Sequence, residues 1–271
     1  MSGLDLRPLS IGEILDRTFT LYRRYFLLFV GISAIPQIAV LAMRLAQIMY
    51  LPIRPTLETT AWLGLALMLV SLFAYLLSQG GTVLAVSELY LGRSTTITES
   101  LQRVWGEIGS IFGVVILNGL AIGLGFILLI IPGIYLACRL LVCIPVAMIE
   151  KRGARESLER SFELTRENTL RSFIILLLSV VLSWAGQILL SAPFAVLIAL
   201  HRGDPMMLRV WTALSQVGAS LASILVSPIL LIATSLYYYD LRVRKEAFDI
   251  QIMLNPDSQA APRIGPPSIF S

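Results

Sequence analysis

Residues 108–149 read IGSIFGVVILNGLAIGLGFILLIIPGIYLACRLLVCIPVAMI, and within these 42 residues only Arg139 is charged. At 1.5 Å rise per residue one helix of that length would reach about 63 Å, roughly twice the hydrocarbon thickness of a bilayer. Two crossing helices fit the same block. It must therefore contain a turn, and Pro132-Gly133 is the strongest turn signal in it.

Working outward, apolar stretches of spanning length or close to it recur at 25–43, which contains Pro36, at 61–86, at 173–200 and at 210–236, which contains Pro228. Together with the two halves of 108–149 they predict six transmembrane helices. Composition agrees: 56% of the 271 residues are hydrophobic and 14% charged, against about 45–50% and about 25% in soluble domains. The expected fold class is an all-α integral membrane protein, with residues 1–254 as a single helical membrane domain. Residues 255–271, rich in Pro, Ser and Ala, read as a disordered tail.

The basic residues orient the spans. Segments 1–24, 88–107, 150–171 and 237–271 hold 16 Lys and Arg, while 44–60 and 201–209 hold four. By the positive-inside rule both termini are cytoplasmic. The net charge of +4 sits between apolar stretches, which suits anionic lipid headgroups. No basic tract is interleaved with aromatics, so nucleic acid is not an expected partner. Cys138 and Cys143, five apart on one expected helix, read as small packing residues. With His201 as the lone histidine, His-based metal sites are disfavoured and no cofactor is expected. The acids and bases of residues 1–24, with no A-x-A-like exit after the first apolar run, argue for a retained span over a cleaved leader.

Three cytoplasmic segments share Glu-x-Leu-x-Arg-x-aromatic: Glu13, Leu15, Arg17 and Phe19; Glu99, Leu101, Arg103 and Trp105; Glu156, Leu158, Arg160 and Phe162, the middle position of the first being Ile14-Leu15 and of the others Ser-Leu. Glu and Arg four apart share one helix face in the favourable order, so Glu13–Arg17, Glu99–Arg103 and Glu156–Arg160 are expected pairs on amphipathic surface helices. Ser10 before Glu13 and Thr96 before Glu99 have capping-box spacing. The expected architecture is a three-fold internal repeat, approximately 9–90, 95–150 and 154–240, each a surface helix followed by a membrane hairpin. Such a repeat either surrounds a shared central site or serves packing alone.

Arg139 is the polar residue that a bilayer least tolerates, at a cost of at least about 2.5–3.5 kcal/mol near the centre of a span. It should contact an anion or headgroup, or pair structurally with a helix carbonyl, Asn118, Gln79 or Glu88. Asn118, Gln79, Gln187 and Gln216 are single polar residues in spans, suited to gluing helices. Gly109-x-x-x-Gly113 and Gly119-x-x-x-Gly123 read as packing devices, and Tyr237, Tyr238 and Tyr239 as an interfacial aromatic anchor.

The run Ile131-Pro-Gly-Ile-Tyr-Leu-Ala-Cys-Arg139, with Pro145, Glu150 and Glu156-Ser-Leu-Glu-Arg-Ser-Phe-Glu-Leu-Thr165, resembles the bacterial glycerophosphoryl diester phosphodiesterase membrane domain and its multi-pass relatives. Leu9-Ser-Ile-Gly-Glu-Ile-Leu-Asp-Arg17 and Tyr238-Tyr-Asp-Leu-Arg-Val-Arg-Lys-Glu-Ala-Phe-Asp249 fit the same group, so the resemblance covers about 7–254. It implies a helical membrane module in the bacterial plasma membrane. In some relatives the module precedes a soluble phosphodiesterase domain, whose catalytic His, Glu and Asp have no counterpart here, so no activity carries over. No zincin, nucleophile-elbow or phosphate-loop motif is present either. The expected function is a non-enzymatic membrane module that engages lipids, anionic headgroups above all, or a membrane-protein partner. The alternatives are a transporter or channel for a small or anionic solute and, third, a component of phospholipid or glycerophosphodiester metabolism.

Overall fold

A computed structural model describes residues 8–50, 56–201 and 203–246; the expected tail at 255–271 lies outside the described residues. The described chain is helical: α1 (Ile11–Arg24), α2 (Phe26–Tyr50), α3 (Leu57–Tyr90), α4 (Ile97–Leu128), α5 (Ile130–Arg139), α6 (Cys143–Glu150), α7 (Ala154–Thr165), α8 (Thr169–Leu200) and α9 (Pro205–Glu246). Six stretches are long and apolar enough to cross a membrane: α2, α3, α4, α5 with α6, α8 and α9. The protein is an all-α, multi-pass membrane protein.

Much of the apolar surface faces outward. Trp62, Met68, Leu120, Ile127, Ile131, Trp184, Leu189 and Leu200 are all exposed. In water that surface would cost about 25 cal/mol for each Å², whereas acyl chains are as apolar as the side chains.

Helix starts follow the local chemistry. Ser10 and Thr96 both form the expected capping boxes, each accepting from the backbone of the Glu three residues on while that Glu accepts from the cap's own N–H. Two expectations change. The second surface helix is continuous with its span, because α4 runs unbroken from Ile97 to Leu128. The turn in the apolar block falls at Leu129, which is extended at φ −167° and ψ 159°, and Pro132-Gly133 lies in the first turn of α5. Proline fits there because the first N–H groups of a helix have no intrahelical acceptor. A Cβ on Gly125 would lie 2.9 Å from Gly133 Cα, so these two glycines let α4 and α5 approach across the turn.

The fourth span is itself broken. Residues 140–142 form a turn between α5 and α6. Cys138 and Cys143 therefore sit on different helices, both buried and free. Arg44, expected in a loop, lies inside α2.

The packed core lies at one end of the bundle, where α1, α7 and the start of α4 gather. Helix α9 is its post. Every residue from Leu231 to Val243 is buried, and α9 packs against α1, α2, α3, α6, α7 and α8. A helix apolar or buried all round must be enclosed by other helices. Around it stand Ile14, Tyr22, Phe29, Ile32, Val142, Val146, Leu164 and Ile175. On the three Glu-x-Leu-x-Arg segments the same two positions are buried each time: Ile14 and Thr18, Ser100 and Val104, Ser157 and Ser161 are all 1% exposed or less.

The expected glycine packing devices are open. A Cβ on Gly109, Gly119 or Gly123 would meet nothing within 4 Å, and Gly113 only touches Ala154. The close approach comes instead at Gly218, where a Cβ would lie 2.2 Å from the Leu190 carbonyl oxygen, pressing α9 onto α8.

Candidate functional site

The polar chemistry concentrates on the last turns of α9. Successive residues on a helix point about 100° apart, so Tyr237, Tyr238 and Tyr239 aim in three directions. Tyr237 donates to the Asn168 carbonyl at 3.1 Å and meets Ser172 Oγ at 2.9 Å, reaching the start of α8. Tyr238 donates to Glu150 Oε1 at 2.9 Å, reaching the end of α6. Tyr239 meets Ser87 Oγ at 2.8 Å and stacks on Tyr90 at 4.3 Å, reaching the end of α3. All three rings are buried. The interfacial-anchor reading is therefore corrected: they tie α8, α6 and α3 to the central post, because surrounding helices cover the end of α9.

Below them two ion-pair clusters occupy opposite faces of α9. On one face Asp240, whose side chain is fully buried, accepts from Leu9 N–H at 2.7 Å, Arg171 Nη1 at 3.1 Å and Arg244 Nε at 2.9 Å. The Leu9 carbonyl in turn accepts from Arg171 Nη2, and from Arg244 Nη2 at 2.7 Å. The main chain of the N-terminal segment is thus clamped on both its donor and its acceptor. On the other face Arg242 donates to Glu246 at 2.9 Å. Glu246 also meets Arg160, which lies 3.3 Å from Glu150. Glu150, its side chain 5% exposed, further accepts from Arg152 at 2.6 Å. Tyr22 on α1 donates to the Leu225 carbonyl at 2.8 Å, and burial raises its phenol above the usual 10.0.

Arg139, 7% exposed, ends α5 against α7. Its Nη2 donates to the Phe162 carbonyl at 2.7 Å, and its guanidinium carbon lies 4.9 Å from the Phe162 ring and 5.8 Å from that of Tyr135. Its own carbonyl accepts from Ser161 Oγ at 2.8 Å and Thr165 Oγ1 at 3.0 Å. The Phe162 carbonyl belongs to the last turn of α7, which has no intrahelical donors left, and the helix dipole places partial negative charge there. Lys245 caps the adjacent Glu163 carbonyl at 2.7 Å. Of the foreseen partners for Arg139, the helix carbonyl is the one it meets.

Glu88 instead accepts from Arg103 at 2.7 Å and lies 3.7 Å from Arg93, joining the end of α3 to α4. Asn118 Oδ1 is buried with no hydrogen-bond partner among the described residues. Gln79 is half-buried on α3, and these residues do not converge with Arg139 into one cluster. Gln187 bonds Ser223 Oγ at 3.1 Å, and Gln216 accepts from Arg44 at 2.8 Å, both gluing helices as expected.

The expected i,i+4 pairs are corrected at two sites. Glu99 turns back to cap its own helix, leaving Arg103 for Glu88. Arg160 bypasses Glu156 for Glu150, Glu163 and Glu246. At the first site Glu13 likewise caps Ser10 N–H at 2.7 Å, and Arg17 is half-buried on the same helix. A capping carboxylate aligned with the dipole competes well against an exposed pair of only about 0.3–0.5 kcal/mol.

Sequence reasoning missed Leu9, Glu150, Asp240, Arg242 and Glu246 as centres of the network. The one available signal was Asp240-x-Arg242-x-Arg244-x-Glu246, a charged stretch continuing the helical register of an apolar span. Among the described residues no three His, Cys, Asp or Glu side chains group as a metal site. Comparison with family models, with curated proteins and with solved structures finds no match to this chain.

Proposed function

We propose that this protein is a non-enzymatic module of the bacterial plasma membrane, its charged end cytoplasmic, that engages anionic lipid headgroups there. The observation that carries this is the rim of that end. Exposed Phe19 and Trp105 accompany exposed Arg23, Arg24, Arg103, Lys151, Arg155 and Arg166, the pairing of aromatic and cation suited to a headgroup layer. The interior is consistent with a rigid module, since Gln187, Gln216 and Arg139 are engaged in ties between helices. The resemblance to the phosphodiesterase membrane domain supports the bacterial location, and the 16-to-4 bias of basic residues supports the orientation. The three Glu-x-Leu-x-Arg segments, with matching buried positions, support an internal three-fold repeat.

Native mass spectrometry of the purified chain tests the reading. Phosphatidylglycerol should be retained in preference to phosphatidylethanolamine, and the preference should fall in a Lys151→Ala/Arg155→Ala/Arg166→Ala variant. Retention of no anionic lipid by the wild type overturns it.

One observation favours a solute pathway as the second reading. Ser33 Oγ, Thr82 Oγ1 and Asn118 Oδ1 are buried inside spans α2, α3 and α4 with no hydrogen-bond partner among the described residues, polar groups that parting of these helices would offer to a solute. Proteoliposome flux of small anions that is lost in Asn118→Leu would support it, and flux equal to protein-free liposomes would remove it.

A further inference from the structure

We propose that the Arg139 guanidinium binds a phosphate oxyanion, that of a phospholipid headgroup lodged where α5 meets α7. This deepens the lipid-engaging reading above and rests on it.

Charge balance makes the first case. Arg139 is permanently cationic and 7% exposed. No carboxylate of the described residues lies within 4 Å of it, while Arg152, Arg160, Arg171, Arg242 and Arg244 all reach one. Those five guanidinium groups share the low-exposure carboxylates Glu150, Asp240 and Glu246, so the network has no acid to lend. A helix terminus supplies about half a charge at most, and Lys245 caps the same terminus.

Hydrogen bonding makes the second. A guanidinium carries five N–H donors in a planar fork. Arg139 Nη2 has the Phe162 carbonyl, but Nε is buried with no acceptor among the described residues. A buried donor left without an acceptor costs about 1–3 kcal/mol, more when charged. An oxyanion would satisfy the charge and the donor together, and the fork geometry matches phosphate.

Access makes the third. The Tyr135 ring beside the guanidinium is exposed, as are Leu170 and Phe173 at the start of α8. Helix α5 packs against both α7 and α8, and α7 carries exposed Arg155, Glu159 and Glu163. Arg139 thus lies between a helix that carries exposed charge and a face of exposed apolar side chains, a setting that suits a phosphate with acyl chains attached.

The test uses the full chain in detergent, titrated with phosphatidylglycerol, phosphatidylethanolamine or inorganic phosphate and read by native mass spectrometry and thermal melting. Arg139→Gln should weaken phosphatidylglycerol binding about tenfold or more, the scale of one charge-assisted hydrogen-bonded contact. Arg139→Lys should fall between. Ser161→Ala/Thr165→Val removes the ties to the Arg139 carbonyl and keeps the guanidinium, so it should lower the melting temperature and leave lipid affinity unchanged. Phosphatidylglycerol binding insensitive to inorganic phosphate supports a lipid source. Equal binding of inorganic phosphate, lost in Arg139→Gln, supports the oxyanion site with a soluble phosphate as its ligand. The proposal is overturned if Arg139→Gln binds like wild type, or if Ser161→Ala/Thr165→Val loses as much affinity. A wild type that retains anionic lipid while Arg139→Gln retains it equally overturns this inference alone; a wild type that retains none overturns the functional reading as well.

Discussion

Replacing Asp240 by alanine should unfasten the N-terminal segment and cost the protein several degrees of thermal stability. The Asp240 carboxylate is fully buried and serves three donors: Leu9 N–H at 2.7 Å, Arg244 Nε at 2.9 Å and Arg171 Nη1 at 3.1 Å. Removing one partner of a buried ion pair costs about 3–5 kcal/mol, because the remaining charge stays desolvated and unpaired. The side chains of Arg171 and Arg244 are 19% and 31% exposed, so water recovers part of their charge and the low end, about 3 kcal/mol, applies. For a chain of this size each kcal/mol moves the melting temperature by about 2–4 °C, so Asp240→Ala should melt about 6–12 °C below wild type. Asp240→Asn keeps an acceptor for the Leu9 amide and removes the charge, and should lose about half as much. Melting followed by size-exclusion fluorescence in detergent gives the global number, and hydrogen exchange at the Leu9 amide gives the local one. An Asp240→Ala protein that melts within about 2 °C of wild type, with the Leu9 amide still protected, would refute the clamp.

Three further outcomes follow from the packing and a fourth from the proposed orientation. Gly218→Ala places a methyl 2.2 Å from the Leu190 carbonyl oxygen and should destabilise by about 1–3 kcal/mol through separation of α8 and α9; Gly119→Ala, with nothing within 4 Å, should be neutral or gain about 0.5–1 kcal/mol in the same melt. Tyr239→Phe removes the contact with Ser87 Oγ while keeping the stack on Tyr90, for a loss of about 1 kcal/mol. With Cys138 and Cys143 buried, a cysteine at Arg155 should react with a membrane-impermeant maleimide only after the cells are opened; labelling of intact spheroplasts would invert the orientation.

The spans were legible because hydrophobic length is a one-dimensional property. An apolar stretch of about 20 residues crosses the bilayer whatever its neighbours do. The capping boxes at Ser10 and Thr96 were legible for a related reason, their partners lying three residues away. The breaks inside the block 108–149 were not. Leu129 is flanked by apolar residues on both sides, and the turn at 140–142 is marked only by the preceding Arg139 and carries no Gly or Pro of its own, while Pro132 drew the expected turn to itself although proline is welcome in the first turn of a helix. The glycine pairs of α4 misled likewise. Spacing shows that two helices could approach there, and only the placement of a neighbour shows whether they do.

Sequence alone determined an all-helical chain with six membrane-crossing lengths, its surface charge confined to a few segments, and one arginine in an otherwise uncharged block. Tertiary structure decided what the polar residues do. Tyr237, Tyr238 and Tyr239 look the same on paper as an interfacial belt, yet they bind Ser172, Glu150 and Ser87 from residues 65, 88 and 152 positions away in the chain. Arg139 faces a carbonyl 23 residues on, and Asp240 an amide 231 residues back. The reason is physical: burial of a polar group depends on which helices enclose it, and partners separated by whole spans meet only when the bundle has formed.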